Sequence, residues 1–244
     1  MFEIRSYAET GSTNDDAIAL LGHTEGAGIA LVADYQRNGK GRRARNWIAP
    51  PGSSLLFTAV LPDPVPSSSL WAVPFWTALA VAAGIERETG LRVALQWPND
   101  LLLDARKCCG ILCVSRVVGA HAWVGCGVGV NVLRPSGDPV LAGLDPPPAF
   151  LSDYVSEPGR RPLLEAILAS YEATLVELNH PEDIARAWER RAGLDGTPYR
   201  LLLDGGEAPF EAIARRLGGD GSLIVNGGAG ERQISLADAR VLRT

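Results

Sequence analysis

The chain is poor in the residues that build metal centres and disulfide frameworks. Its 244 residues include only four cysteines and three histidines. Cys108, Cys109, Cys113 and Cys126 crowd into one short segment with no CxxC spacing, and His23, His121 and His180 are scattered. A structural metal needs ligands that converge tetrahedrally, whereas neighbours in a strand point to opposite faces. The pattern predicts no structural metal and buried free thiols, as expected of a protein kept in a reducing cytoplasm. Long hydrophobic runs are also missing. The most apolar stretch, Leu70 to Ile85, is broken by Pro74, Thr77 and Gly84, short of the about 18 uninterrupted residues of a membrane span. The N-terminus has no basic region leading into an apolar run, so no secretory signal is expected. The phosphate-binding patterns GxxxxGK[ST] and GxGxxG are both absent.

What the chain does have is one concentrated block of positive charge. Gln36 to Trp47 (QRNGKGRRARNW) contains Arg37, Lys40, Arg42, Arg43 and Arg45 and no acid. The chain's formal charge is −5, so without that +5 block it stands at −10. A basic loop on an acidic protein points to one anionic ligand rather than a polyanion surface, which predicts no nucleic-acid partner. Its glycines permit close backbone approach, and its guanidiniums can clamp a phosphate or carboxylate.

Periodicity and punctuation predict an α/β (α+β) chain. Ser12-Thr13-Asn14-Asp15-Asp16 before AIALL reads as a helix N-cap. Strands are expected over 28–34, 53–61 and 92–97, and as a hairpin over 110–118 and 121–132. A long apolar helix is expected from Leu70 to Thr89, with Pro74 in its first turn. Two more, each opened by a proline, are expected over 162–179 and 181–192. Beyond Gly193 short strands alternate with glycine turns, as in a small β-barrel of roughly 50 residues. The expected division is therefore 1–192 and 193–244.

Two further segments carry chemistry. Gln96-Trp97-Pro98-Asn99-Asp100 presents an amide and a carboxylate after a strand, and Lys107-Cys108-Cys109-Gly110-Ile111-Leu112 opens the next strand with a lysine and a glycine. Gly125-Cys126-Gly127-Val128-Gly129-Val130-Asn131-Val132 alternates glycine through an apolar strand, a sign that something packs closely on its backbone.

With Glu9-Thr10-Gly11-Ser12-Thr13-Asn14, these elements in this order resemble the biotin protein ligases, the biotin–[acetyl-CoA-carboxylase] ligase or holocarboxylase synthetase family. The resemblance runs from about Ser6 to Asn131. The family's GRGRxGRxW reads here as GKGRRARNW, its KWPND as QWPND, its lysine-then-GGIL as KCCGIL and its GIGINV as GVGVNV. It implies a class II synthetase-like mixed sheet with helices and a small C-terminal SH3-like β-barrel. It implies ATP and Mg²⁺, with biotin as substrate, and transfer of biotin from biotinyl-5′-AMP to one lysine of a biotin carboxyl carrier domain. Members occur as monomers and as homodimers joined at the sheet edge. The start of the match so near residue 1 predicts no N-terminal winged helix and no operator binding. Lipoate or octanoate ligases of the same fold are the nearest alternative, and a non-catalytic biotin-binding relative is another.

By the same resemblance Lys107 and Arg42 contact the biotin carboxylate and the α-phosphate. Lys40, Arg43, Arg45 and Trp47 belong to the loop that closes over the nucleotide, and Asn99 and Asn131 reach ATP. Ser12, Thr13, Asn14 and Gln36 serve the ureido ring of biotin. Gly39, Gly110 and Gly127 are close backbone approaches. Asp100 either orients the incoming lysine amine or holds Mg²⁺. Three departures stand out: Lys40 replaces an arginine and loses a bidentate fork, Gln96 replaces a lysine, and Ala44 replaces a glycine, which predicts a stiffer loop or an αR or β backbone there.

Overall fold

A strand of seven buried residues, Ser54–Val60, lies at the centre of the molecule. The computed structural model describes residues 1–24, 26–137, 141, 143–203, 208–227, 230–236 and 239–242. The main sheet contains β1 (Phe2–Thr10), β2 (Gly28–Gln36), β3 (Ser54–Val60), β4 (Val65–Pro66), β5 (Ala94–Gln96), β6 (Asp100–Leu103), β7 (Arg106–Val118) and β8 (His121–Asn131). Its order is β1-β2-β3-β8-β7-β6-β5, with β4 paired to the start of β8. Only β1 and β2 run parallel; every other pairing is antiparallel. β3 and β8 read as near-continuous apolar runs because helices cover both faces of the sheet centre.

The helices are α1 (Thr13–Ile18), α2 (Val73–Thr89), α3 (Arg160–Thr174) and α4 (Pro181–Ala192). α2 and α3 bury Phe75, Trp76, Ile85, Leu164 and Ile167 against the sheet face that carries Phe57, Cys126 and Ile111. The segment Ser67–Thr89, α2 with the 3₁₀ turn before it, is long and apolar enough to cross a membrane by composition, yet 67% of its most apolar window is buried inside the molecule. That burial is what a core helix requires. On the opposite face α1 contributes Ala17, which packs with Leu21, Ile29, Leu31 and Val60 in a smaller cluster.

The remaining strands, β9 (Pro198–Leu203), β10 (Phe210–Leu217), β11 (Leu223–Gly227), β12 (Gly230–Ile234) and β13 (Ala239–Leu242), form a second, antiparallel sheet in the order β12-β11-β10-β9-β13. It shares one continuous core with the first. Trp97 is completely buried between them. Its indole Nε1 donates to the Gly221 carbonyl at 3.1 Å, and its backbone N–H donates to the Tyr199 hydroxyl at 3.2 Å. Burial pushes the Tyr199 phenol up to about 12, so the acceptor stays a neutral hydroxyl. From α4, Glu189 accepts the Leu217 N–H at 2.5 Å.

The four cysteines are free thiols. Cys113 and Cys126 face each other across β7 and β8, and burial pushes Cys108 up to about 12. Three strands lay outside the sequence expectation, β4 among them because its two residues follow the expected end of β3 and pair with the start of β8. β1 is a polar edge strand made by pairing with β2, a non-local contact that local propensity does not report. β6 forms over residues for which no element was expected, because Leu101, Leu102 and Leu103 pair with β7 and bury their side chains.

Candidate active site

Two adjacent rows of side-chain positions on the α1 face of the sheet define the site. Across β3, β8 and β7 the first row is Thr58, Gly127, Leu112 and the second is Leu56, Gly129, Gly110. Partners in register share one face of a sheet, so the glycines leave a flat floor beneath whatever α1 and the basic loop place above it.

Over the first row lie neutral polar groups from the start of α1. Asn14 fills the space that a side chain at Gly127 would take: a Cβ there would meet Asn14 Oδ1 at 2.1 Å and the Leu112 carbonyl at 2.6 Å. Its amide Nδ2 donates to the Leu112 carbonyl at 3.0 Å, and its Oδ1 lies 2.7 Å from the Thr58 hydroxyl. Gln36, at the end of β2, takes the first free N–H of α1: its Oε1 accepts from Thr13 N at 2.7 Å and from the Thr13 hydroxyl at 3.0 Å. Ser12 is buried at the N-cap, but its hydroxyl makes no capping bond. An external cap from Gln36 thus leaves Ser12 Oγ for a ligand.

Over the second row lie Trp47 and the cations. Cβ atoms at Gly110 and Gly129 would come within 2.8 and 2.6 Å of the Trp47 ring. Lys107 Nζ sits 5.3 Å from the centre of that ring and 2.5 Å from Asp100 Oδ1. Asp100 is the register partner of Gly110, so β6 carries the carboxylate to the lysine. Asn99 donates to the Ile111 carbonyl at 2.6 Å and meets Arg42 Nη1 at 3.4 Å. Arg42 Nη2 donates to the Leu236 carbonyl, just beyond β12. Burial lowers the Arg42 pKa, opposed by the nearby Asp100 carboxylate.

The basic segment folds back on itself. Trp47 N donates to the Gly39 carbonyl at 2.8 Å, Gly41 N to the Arg45 carbonyl at 2.7 Å, and Lys40 bridges to Asn46. Lys40 Nζ pairs with Asp15 of α1 at 2.5 Å. The turn is made by Arg43 and Ala44, with φ of 61° and 56°. Ala44 therefore does not take the αR or β backbone its side chain predicts; the tight reversal forces it into the left-handed region.

A cavity of about 140 Å³ lies between these layers. Ser12, Thr13, Asn14, Gln36, Gly110 and Gly127 line it, as do Lys40, Arg42, Arg45, Trp47, Asn99 and Lys107. The structure thus brings together most of the residues singled out from sequence. Asn131 stands apart: its amide donates to the Ala149 carbonyl at 3.1 Å and lies 3.4 Å from that of Lys107, tying down the chain after β8. Gly39, Arg43 and Asp100 are not in the lining either; Gly39 is where the loop closes on Trp47. The glycines at 110 and 127 admit protein side chains rather than open space. Thr58, Gly129 and the Leu236 carbonyl were missed. A lone threonine in SLLFTAV and the third glycine of GCGVG were visible signals for the first two; a backbone carbonyl leaves none.

The profile of the biotin/lipoate A/B protein ligase family matches residues 11–131. Over 95% of its length the chain is 32% identical to a biotin–[acetyl-CoA-carboxylase] ligase of Paracoccus denitrificans, covering 97% of that protein. Over 97% of its length it is 30% identical to one of Mycobacterium tuberculosis, covering 88% of it. The fold matches a biotin protein ligase from Aquifex aeolicus, solved with biotin and ATP, with a TM-score of 0.76 over 99% of both chains at 22% identity. On its motifs, its full-length relatives and its fold, the chain belongs to the biotin protein ligases of the biotin/lipoate A/B protein ligase family.

Proposed function

We propose that this chain activates biotin with ATP and transfers it to a lysine of a biotin carboxyl carrier domain. The carrying observation is one cavity in which neutral donors and acceptors lie over one row of the sheet and cations over the next. Biotin has that pattern, a neutral cyclic urea at one end and a carboxylate at the other. In the first step a biotin carboxylate oxygen attacks the α-phosphorus, the bond to the β-phosphate breaks and pyrophosphate leaves. Two anions about 4 Å apart repel by about 4 kcal/mol at an effective dielectric of 20, and fixed cations remove that barrier. Lys107, Arg42 and Lys40 are the residues for this task, with Arg45 and Trp47 on the closing loop. In the second step the carrier lysine amine attacks the acyl carbon and AMP leaves.

Asp100 lies where it can hold Lys107 before ATP binds and accept a proton from the incoming amine. Among the described residues no three His, Cys, Asp or Glu side chains converge as a cation site, and Asp100 is engaged by Lys107. In this reading magnesium enters with the substrate as MgATP, whose phosphates supply most of its ligands. Residues 1–192 form the catalytic unit in this reading, and 193–244 the smaller module that meets it through Trp97 and Arg42. The 32% identity with a carboxylase-directed ligase supports the carrier of acetyl-CoA carboxylase as acceptor.

The test is ATP–pyrophosphate exchange with biotin, lipoate and octanoate in parallel. Exchange is expected with biotin alone. Exchange with lipoate or octanoate and not biotin would move the chain to the other branch of the family, and none with any acid would remove the ligase assignment.

A further inference from the structure

Thr58 lies in the middle of β3, fully buried and outside the cavity lining. Its hydroxyl is nonetheless the hub of the polar groups above the first row. It stands 2.9 Å from Thr13 Oγ1 and 2.7 Å from Asn14 Oδ1, and Thr13 Oγ1 stands 3.0 Å from Gln36 Oε1. Those three contacts share two hydroxyl protons. The amides cannot supply the third. Asn14 is oriented by its bond to the Leu112 carbonyl, which turns Oδ1 toward Thr58, and Gln36 is oriented by the Thr13 backbone N–H, which turns Oε1 toward Thr13. A carboxamide oxygen only accepts, and a hydroxyl has one proton. One oxygen–oxygen contact in the chain Asn14–Thr58–Thr13–Gln36 is therefore always without a proton.

We infer that Thr58 is a positioning residue that makes this end of the cavity short of one donor, so that it selects a ligand bringing an N–H to the Thr13 hydroxyl. The inference rests on the reading of the site as biotin's. With Thr58 giving its proton to Asn14, Thr13 keeps one lone pair facing Thr58 and one for the ligand. With its single proton committed to Gln36, the Thr13 hydroxyl can only accept from a ligand, and a urea N–H meets that need. The Gln36 amide, its oxygen already used, is left to donate through Nε2 to the urea carbonyl. The demand for an N–H at Thr13 thus depends on a residue that never touches the ligand, while the Thr13 backbone N–H, by orienting Gln36, sets the demand for an acceptor. The glycine opposite Thr58 in register is part of the device, because a side chain at Gly127 would expel Asn14 from the hub.

The experiment compares Thr58→Val, which keeps the shape and loses the hydroxyl, with Thr58→Ser, which keeps the hydroxyl, in biotin-dependent pyrophosphate exchange. Thr58→Val is expected to raise the KM for biotin about tenfold or more, one lost discriminating hydrogen bond, with the KM for ATP and kcat within about threefold. Thr58→Ser is expected to restore the biotin KM to within about threefold of the parent. An unchanged biotin KM in Thr58→Val overturns the inference. So does a parallel loss of kcat and of ATP affinity, or a serine variant as impaired as valine, each of which marks a structural role. Melting curves accompany each variant, and Thr58→Ala is held to the same criteria should valine fail to fold. An active parent with an unaffected valine variant removes only this inference; a parent inactive with biotin removes the functional reading and the inference with it.

Discussion

At the scale of single residues the basic loop holds the sharpest departure from its family pattern. Ala44 sits at φ 56°, beside Arg43 at φ 61°. A non-glycine residue in the left-handed region costs roughly 1–2 kcal/mol, while a glycine there would return about 0.5–1 kcal/mol of that through unfolded-chain entropy. Ala44→Gly is therefore expected to leave global stability unchanged or raise it by up to about 1 kcal/mol in urea unfolding. A clear loss of stability would show that the alanine is not strained. Lys107 belongs to the same scale. It stands between the Asp100 carboxylate and the Trp47 ring, two partners that hold one ammonium over the cavity floor. Lys107→Ala is expected to lower biotin-dependent exchange by at least about a hundredfold, consistent with the loss of fixed charge at a reacting phosphate, with the melting temperature changed by only a few degrees. Near-parent exchange in that variant would remove Lys107 from the chemistry.

At the scale of elements the site is an agreement between three strands and the two pieces of chain laid across them. Gly125, Gly127 and Gly129 of β8 match Thr58 and its neighbours on β3 and Leu112 and its neighbours on β7. Two of these glycines each admit a different visitor, Asn14 at 127 and Trp47 at 129. Gly129→Ala places a methyl 2.6 Å from the indole, so Trp47 must leave the floor and take the closing loop with it. Exchange is expected to fall at least about tenfold, the scale of a misplaced positioning group, and protease cleavage within 40–46 to speed up. Unaltered cleavage and exchange would mean that the indole adapts. Much of this was readable beforehand. The motifs are contiguous, and glycine every second residue in an apolar strand states that something packs there. What could not be read was the identity of the visitor. Whether Gly127 faces a ligand or Asn14 depends on register between strands about seventy residues apart, and on α1 landing across them. For Asn131 it was the family resemblance of GVGVNV that implied an ATP contact; in the structure its amide reaches the carbonyls at 107 and 149. The strand β1 escaped for a related reason, since its partner β2 supplies the order its own polar sequence lacks.

At the scale of the whole molecule the boundary after residue 192 is clear in composition but is crossed by the core. Trp97, in the QWPND motif, reads from sequence as the last residue of a strand. In the structure it is a buried link that donates to Gly221 and, through its backbone, to Tyr199 of the second sheet. Arg42 of the basic loop reaches Leu236, just beyond β12 of that sheet. A module held this way should not unfold ahead of the unit it covers, because leaving would expose Trp97 and Phe75 and strand the buried Gly221 carbonyl. Amide exchange in β10 and β11 is therefore expected to proceed with the same opening free energy as in β3 and β8, within about 1 kcal/mol, as for one cooperative unit. Trp97→Phe removes the indole donor and leaves that carbonyl unpaired, at a cost of about 1–3 kcal/mol. Because every opening that separates the sheets breaks this link, protection in β10, β11, β3 and β8 should fall together by that amount, as one cooperative unit requires. If β10 and β11 alone lose protection, the second sheet opens ahead of the first and the two are not one cooperative unit. If neither changes, the second sheet is held by the Arg42 and Glu189 contacts alone.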